Sequence, residues 1–160
     1  MEAFGDALRQ AQDKLKIVDY SLSKVFPMTK DPTVIRSAIV NLHEAQVKSL
    51  DALLLFERTY KRVPAFPPRH VETKLRLFSE YCVKRYGLNH DMVHEIRELK
   101  QWAANALEGA PHISPDGKVQ FRLEGFQVMN VNIVKLKSML ASSSSFHARV
   151  KEVIDHARSP

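Results

Sequence analysis

The hydrophobic residues of this chain recur mostly every three or four positions, the spacing that places them on one face of an α-helix. The first such face runs from Phe4 to Val25. Pro27 follows it, and because proline lacks a backbone N–H and clashes with the preceding turn, it predicts the end of the helix. The pattern therefore predicts a helix over residues about 2–26.

A second, longer helix is predicted over about 32–62. Asp31 is a favourable N-cap, and Pro32 suits the first helical position because no backbone donor is needed there. The segment 63–68 contains three prolines and cannot continue the helix. We expect this loop to turn the chain and to display Phe66.

Two further helices are predicted over about 68–86 and about 90–108. Gly87 and Gly109 follow their last apolar positions, and glycine is common just after a helix end. Asn89 is placed to cap the start of the fourth helix. These boundaries rest on cap and breaker residues as well as on hydrophobic spacing.

The hydrophobic period changes to two after a segment, 110–117, that we interpret as a polar loop. Apolar residues then alternate with polar ones on both sides of Glu124 and Gly125, which fit a two-residue turn. The alternation predicts a β-hairpin over about 118–131, with strands near 118–123 and 126–131. A lone hairpin is marginal in water, so it must pack on the helices.

Asn132 can cap a last helix, predicted over about 132–158. Residues 142–145 are four serines, which are poor helix formers, so a continuous helix and a broken one both remain open. The chain is thus predicted to be mostly α, a bundle of about five helices with one short β-hairpin before the last helix. We interpret residues 1–160 as a single domain.

Composition supports a folded domain: 44% of the 160 residues are hydrophobic and 26% are charged. No apolar run approaches the roughly 20 residues that cross a bilayer, so no membrane partner is expected. The N-terminal residues are acidic and amphipathic, unlike a secretory signal. We therefore expect a cytoplasmic protein.

Metal and cofactor chemistry has little support in the sequence. Cys82 is the single cysteine and lies among apolar residues, which is typical of a buried small hydrophobe. His90 and His94 are one helical turn apart but lack the glutamate of a zinc-protease helix, so we interpret them as an exposed face. Glycine-rich phosphate loops and serine-nucleophile elbows are absent from the sequence. No metal and no cofactor are expected.

Positive charge is concentrated in one stretch. The net charge is +6, and residues 58–100 hold ten Lys or Arg against five Asp or Glu. Such a stretch suits phosphate contact or a solvated face, and both interpretations remain open. The candidate nucleic-acid-binding residues are Arg58, Lys61, Arg62, Arg69, Lys84 and Arg85.

Two arginine and histidine pairs are the candidate catalytic residues. Arg36 and His43 are seven positions apart on the second helix, about two turns, so their side chains point the same way. Arg85 and His90 straddle Gly87, at a helix end and the following loop.

These pairs, set among long helices, resemble the HEPN superfamily of small helical bundles. The order of further motifs resembles small uncharacterised archaeal helical proteins. These motifs are Lys30-Asp31-Pro32, Phe66-Pro67-Pro68, Lys84-Arg85-Tyr86-Gly87 and Phe121-Arg122.

The HEPN resemblance implies a bundle of four or five helices that is often dimeric. Some members cut RNA without a metal, and others pair with small nucleotidyltransferases or bind nucleotides. In the nuclease members the arginine usually lies on a late helix and is followed by Asn, Asp or His. Arg36 is on the second helix and is followed by Ser37, and Arg85 is followed by Tyr86, so both pairs depart from that pattern.

We expect a non-catalytic helical interaction module, a homodimer or a protein that docks a partner, with RNA or nucleotide contact at the basic stretch. The alternative is a metal-independent HEPN-type ribonuclease. Its histidine would take the proton of a 2′-hydroxyl and its arginine would stabilise the charged phosphorus centre. A small-ligand pocket between hairpin and bundle is a third interpretation, with no specific residue in its favour.

Overall fold

The computed structural model describes residues 2–158, apart from the side chain of Arg158; Met1 and residues 159–160 of the predicted domain lie outside this range. Residues 2–158 form five helices and a three-stranded antiparallel sheet just before the last helix. The predicted mostly α fold is therefore confirmed. No helix in the described range is long and apolar enough to cross a membrane.

The helix ends fall close to the predicted positions. The helices are α1 (Ala3–Tyr20, continued by a π-helical turn at Ser21–Val25 and an α-helical end at Phe26–Thr29), α2 (Pro32–Thr59), α3 (Val71–Leu77, continued by a π-helical turn at Phe78–Cys82 and an α-helical end at Val83–Tyr86), α4 (Asp91–Glu108) and α5 (Ile133–Arg158). Asp31 Oδ1 accepts the N–H of Thr33 (2.9 Å), and Asn132 Oδ1 accepts that of Lys135 (3.1 Å). Asn89 Oδ1 likewise accepts the N–H of Asp91 (2.9 Å), so all three predicted capping side chains bind backbone N–H groups at helix starts.

The first helix runs past Pro27, so the predicted end at residue 26 is wrong. Pro27 lies at the start of the α-helical end that follows the π-helical turn, where a missing N–H is tolerated. The extra residue of the π-helical turn also rotates the chain, so that Phe26, rather than the predicted Val25, is buried. The helix ends at Lys30, which adopts a left-handed conformation (φ 50°).

The central element of the bundle is α2. It packs against α1, α4, α5 and the first two strands, and is buried on more than one face. Leu53 and Leu54, whose side chains point about 100° apart on the helix, are both fully buried. Tyr60, predicted at its end, lies just beyond the helix and is exposed.

The proline-rich loop after α2 does not display Phe66, contrary to the prediction. Phe66 is buried in the same apolar cluster as Phe56 and Leu75. Burying an aromatic ring is favourable by a few kcal/mol, which outweighs the polar character that a loop of prolines suggests.

The sheet has the strand order β1 (Ala110–Ile113), β2 (Val119–Arg122) and β3 (Val128–Val131), with each strand antiparallel to the next. Phe121 lies opposite Pro111 of β1 and Met129 of β3. Val119, Phe121 and Val131 point into the core beside α2. The period-2 pattern thus identified the buried face of β2.

Two details of the predicted hairpin are wrong. Residues 110–117 were expected to be a polar loop, but the first four form β1, whose half-exposed side chains give no period-2 signal. The turn is a 3₁₀ turn at Glu124–Phe126, closed by the N–H of Leu123 on the carbonyl of Gln127 (2.8 Å), in place of a two-residue turn. Phe126 adopts a left-handed conformation (φ 61°) and is fully exposed, which the alternation did not indicate.

The last helix is continuous through its four serines, which resolves the open alternative. Ser142 Oγ donates to the carbonyl of Ser138 (3.1 Å), so its hydroxyl is satisfied within the helix. Ser143 is buried, and its hydroxyl accepts a hydrogen bond from Gln46 Nε2 of α2 (2.9 Å). Small serines therefore let α5 pack closely on the central helix.

We expect Phe121→Ala to lower the free energy of unfolding by about 3 kcal/mol or more, the usual cost of truncating a buried phenylalanine. Urea denaturation followed by circular dichroism measures it. Tyr20→Ala, at an exposed aromatic residue of α1, is the control and should change stability by less than about 1 kcal/mol. A loss that small for Phe121→Ala would contradict the packing of β2 on the bundle.

Candidate nucleic-acid interface

The central helix α2 ends in a tight turn that reverses the chain. Lys61 adopts a left-handed conformation (φ 59°). Its N–H donates to the carbonyl of Arg58 (2.9 Å), and the N–H of Arg62 donates to the carbonyl of Glu57 (2.9 Å). This pair of bonds is a Schellman motif, in which glycine is more usual at the left-handed position. The turn returns Arg62 to the last turn of α2, beside Glu57.

Glu57 is fully buried, and three side chains bind its carboxylate. Arg62 donates from Nε to Oε2 (2.8 Å) and from Nη2 to Oε1 (3.3 Å). Arg85 donates from Nη1 to Oε2 (2.9 Å), and the hydroxyl of Tyr86 donates to Oε1. A buried carboxylate costs several kcal/mol unless it is paired and hydrogen-bonded, so these residues satisfy it. We call Glu57, Arg62, Arg85 and Tyr86 the arginine cluster.

The two guanidinium groups of the arginine cluster remain accessible. The side chains of Arg62 and Arg85 are 32% and 42% exposed. A guanidinium has five N–H donors, and Glu57 takes only one or two from each, so others remain for a ligand. The Glu57 hydrogen bonds raise the pKa of Arg62. One negative charge therefore holds two permanent positive charges side by side at the surface.

An exposed aromatic ring lies beside these charges. The guanidinium carbon of Arg62 is 4.8 Å from the ring centroid of Tyr60, which is 52% exposed. Exposed aromatic rings beside arginines are typical of surfaces that stack single-stranded bases and bind the connecting phosphates.

Other predicted contact residues surround the arginine cluster. Arg58 and Lys61 are exposed in the turn that places Arg62, and Lys84 is exposed next to Arg85. Arg69 is exposed in the loop before α3, and no described contact joins it to the cluster. The structure therefore brings Arg62 and Arg85 onto one carboxylate, with three more cations adjacent along the chain.

The rest of the basic stretch is largely neutralised by ion pairs. The pairs are Lys74 with Asp51 (2.7 Å), Arg76 with Glu80 (3.4 Å) and Arg97 with Glu72 (2.9 Å). Lys74 is buried, so its charge is unavailable to a ligand. The uncompensated positive charge is thus concentrated at the end of α2.

Arg36, one of the candidate catalytic residues, binds the C-terminal end of α4. Its Nε donates to the carbonyl of Ala106 and its Nη2 to that of Gly109, both at 2.8 Å. Gly109 is required there, because a Cβ would lie 2.9 Å from the carbonyl of Asn105 and 3.0 Å from Cβ of Phe121. Arg36 thus satisfies helix-terminal carbonyls that would otherwise lack a partner.

His43 is half-buried on α2, and no described contact joins it to Arg36. Its Nδ1 is buried and has no hydrogen-bond partner among residues 2–158. Burial lowers the pKa of His43, nearby Lys100 lowers it further, and Glu44 partly opposes the shift. The ring is therefore neutral at pH 7.

The second pair is also divided between different partners. Arg85 binds Glu57, whereas His90 Nε2 lies 3.3 Å from Ser79 Oγ, and its ring meets that of His94 edge-on with centroids 6.2 Å apart. Within the described range, no group of three His, Cys, Asp or Glu residues is placed to hold a metal ion.

Burial controls the chemistry of Cys82 and of Tyr86, which belongs to the arginine cluster. It raises the pKa of Cys82 to about 12, so this thiol is the buried small hydrophobe that the sequence predicted. Burial also raises the pKa of Tyr86, and the hydrogen bond to Glu57 raises it further. Tyr86 therefore keeps its proton at neutral pH and donates a hydrogen bond to Glu57.

The third interpretation required a pocket between the sheet and the helices. A depression of about 560 Å³ at the sheet tip is lined by residues 122–128 alone. A larger groove of about 660 Å³ lies instead between α1 and α5, with Leu15, Leu140 and His147 among its lining residues. His147 is buried there, and its Nε2 donates to the carbonyl of Leu8 (3.0 Å).

Glu57, the residue that organises this surface, is not among the site residues predicted from the sequence. The available signal was its position, directly after Phe56 and one helical turn after Leu53, both buried. A carboxylate on a buried helix face needs cationic partners, and Arg62 follows within the same basic run. Arg85, which lies on another helix, could be assigned to Glu57 only from the fold.

Protonation of His43 should destabilise the protein, because its folded pKa lies below the 6.5 of an ordinary histidine. The neutral ring favours folding, so this contribution is complete above pH 6.5 and is lost as the pH falls through the lower folded pKa. We expect the urea midpoint to fall more for the wild type than for His43→Gln between about pH 7.5 and about pH 5.5. His94→Gln, on an exposed face, should behave as the wild type; equal pH dependence of the wild type and His43→Gln would refute the assignment.

Comparisons with protein-family models, curated proteins and solved structures find no match to this chain. The resemblance to HEPN bundles through Arg36, His43, Arg85 and His90 therefore stays a prediction. The geometry of the site carries the functional argument.

Proposed function

We propose that this chain is a non-catalytic helical interaction module that contacts RNA at the end of α2. The observation that carries the proposal is the arginine cluster, in which buried Glu57 holds Arg62 and Arg85 side by side while both stay partly exposed. Two fixed guanidinium groups suit the oxygens of a phosphate, because each guanidinium presents a planar fork of donors.

The surroundings of the arginine cluster favour single-stranded RNA. Arg58, Lys61 and Lys84 add positive charge along the backbone path of a bound strand. Tyr60 offers an exposed ring on which a base can stack, next to the guanidinium of Arg62. Phosphate contacts and base stacking carry little sequence information, so binding should show little sequence preference.

The non-catalytic part of the proposal rests on the partners of the candidate residues. Arg36 is bound to two backbone carbonyls, and Arg85 is bound to Glu57. A phosphodiester-cleaving pair needs the histidine and the arginine to meet at one phosphate in a fixed geometry. The ribonuclease alternative would require Arg36 to leave its two carbonyls, and no described contact joins Arg85 to His90, whose Nε2 lies beside Ser79 Oγ.

We expect weak, salt-dependent binding of a fluorescein-labelled single-stranded RNA, measured by fluorescence anisotropy at several salt concentrations. The combined variant Arg58→Gln, Lys61→Asn and Lys84→Gln removes three cations and keeps the Glu57 hydrogen bonds intact. Asparagine suits position 61 because it tolerates the left-handed conformation. This variant should bind at least about tenfold more weakly, and its slope of log affinity against log salt should fall by about 2.

The matched control removes two lysines in the C-terminal half of α1 and one near the start of α5, through Lys16→Gln, Lys24→Gln and Lys137→Gln. All three are exposed and lie away from the arginine cluster. The proposal predicts nearly unchanged binding for this control. Equal losses in both variants would indicate attraction by net charge alone, and unaltered binding by the first variant would contradict a strand that runs past Arg58, Lys61 and Lys84 at the end of α2.

We also expect no cleavage of 5′-labelled single-stranded RNA by the purified protein in EDTA. The reason is that Arg36 is bound to two backbone carbonyls, and Arg85 and His90 contact different residues. Gel analysis should show intact RNA for the wild type, His43→Ala and His90→Ala. Metal-independent cutting by the wild type that either substitution abolishes would favour the ribonuclease instead.

A further inference from the structure

The two edges of the sheet differ in their protection. In an antiparallel pair, alternate residues direct their backbone groups toward the partner strand, and the residues between direct them outward. The N–H of Ser114 donates to the carbonyl of Lys118, which fixes this alternation for β1. Pro111 is therefore an outward-directed residue of β1. It has no N–H, so a further strand cannot pair fully along that edge.

The outer edge of β3 has no such protection. The bond from the N–H of Leu123 to the carbonyl of Gln127 fixes the alternation for β3. Residues 127, 129 and 131 direct their backbone groups to β2, so Val128 and Asn130 direct theirs outward. Charged side chains and prolines usually prevent an edge strand from pairing with another chain. Residues 126–134 contain neither.

Exposed apolar side chains lie along and beyond both ends of this edge. Phe126 precedes β3 and is fully exposed in a left-handed conformation. Val128 lies on the strand, and Val134, 77% exposed, lies in the first turn of α5 directly after it. A bulky residue held with positive φ is strained, and such residues often cluster at functional sites.

We propose that a second copy of this chain pairs with β3, antiparallel and around a two-fold axis at Met129. Val128 of each copy then lies opposite Asn130 of the other, as hydrogen-bonded pairs made by the outward backbone groups. The same register places Phe126 opposite Asn132 of the other copy, beside its exposed Val134.

Self-pairing is favoured over a different partner by two features of β3. The strand is uncharged, so an antiparallel copy meets no like charge across the axis. Exposed Phe126 lies before one end of the strand, and exposed Val134 lies beyond the other end. A two-fold axis therefore places Phe126 of each copy beside Val134 of the other, which gives two such contacts. This interface is independent of the arginine cluster and of RNA binding.

Sedimentation velocity from low micromolar to several hundred micromolar protein tests the oligomeric state. Because the strand is short, we expect a reversible dimer in the micromolar range. Val128→Pro removes an outward N–H without taking a hydrogen bond from β2, and Gln127 before it already has an extended backbone that proline accepts. Val128→Pro and Phe126→Gly should each weaken the dimer at least about tenfold.

Met28→Ser, at an exposed residue at the end of α1, is the matched control and should leave the dimer unchanged. Circular dichroism melts identify a variant that fails to fold. Phe126→Gly removes only an exposed, strained side chain, so it should fold and decide the test even if Val128→Pro does not fold. A wild type that is monomeric at every concentration would overturn the proposal, as would a dimer that both variants leave intact.

Disulfide trapping tests the register directly. Met129→Cys places a thiol on the proposed axis, opposite its own copy, at a separation that a disulfide can bridge. Under mild oxidation it should form a cross-linked dimer much faster than Gln127→Cys, whose copies lie well apart in this register. Native Cys82 is buried and does not compete. Equal rates for the two variants would overturn the proposed register.

Discussion

The burial of α2 is the constraint on which the rest of the structure depends. This helix has 28 residues, about 42 Å, and neighbours cover it on most sides. A polar group buried on it is therefore costly unless it finds a partner inside the protein. Gln46 meets Ser143, Arg36 reaches the end of α4, and Glu57 draws in the arginines of the arginine cluster.

The π-helical turns show how the neighbouring helices adapt to that constraint. In α3 the turn at Phe78–Cys82 keeps Phe78 and Cys82 in the core and delivers Arg85 and Tyr86 to Glu57 one turn later. A π-helical turn inserts one residue into the repeat and is often found at functional sites. The local distortion of α3 thus helps to place Arg85, one of the two positive charges that Glu57 holds.

Sequence reasoning recovered the elements whose signals are local. Asp31, Asn132 and Gly87 marked helix ends through their own backbone and side-chain chemistry, and the alternation around Phe121 marked a strand. It missed features that depend on distant residues: the burial of Phe66, the strand at Ala110–Ile113, and the contact of Arg85 with Glu57. The spacing of Arg36 and His43 predicted a shared face of α2, but which partner each side chain meets is set by α4.

The two proposed surfaces, the arginine cluster and the β3 edge, lie toward opposite ends of α2. Arg36 contacts the α4 end that leads into the sheet, and Glu57 lies 21 residues farther along the helix, about 30 Å. Pairing through β3 at the sheet would therefore direct the two arginine clusters of a dimer away from each other. One RNA long enough to reach both clusters would gain the advantage of a linked second site, whereas a short RNA would occupy one cluster at a time. Affinity that rises with RNA length beyond the span of one subunit, and only above the dimerisation concentration, is the behaviour that this arrangement produces.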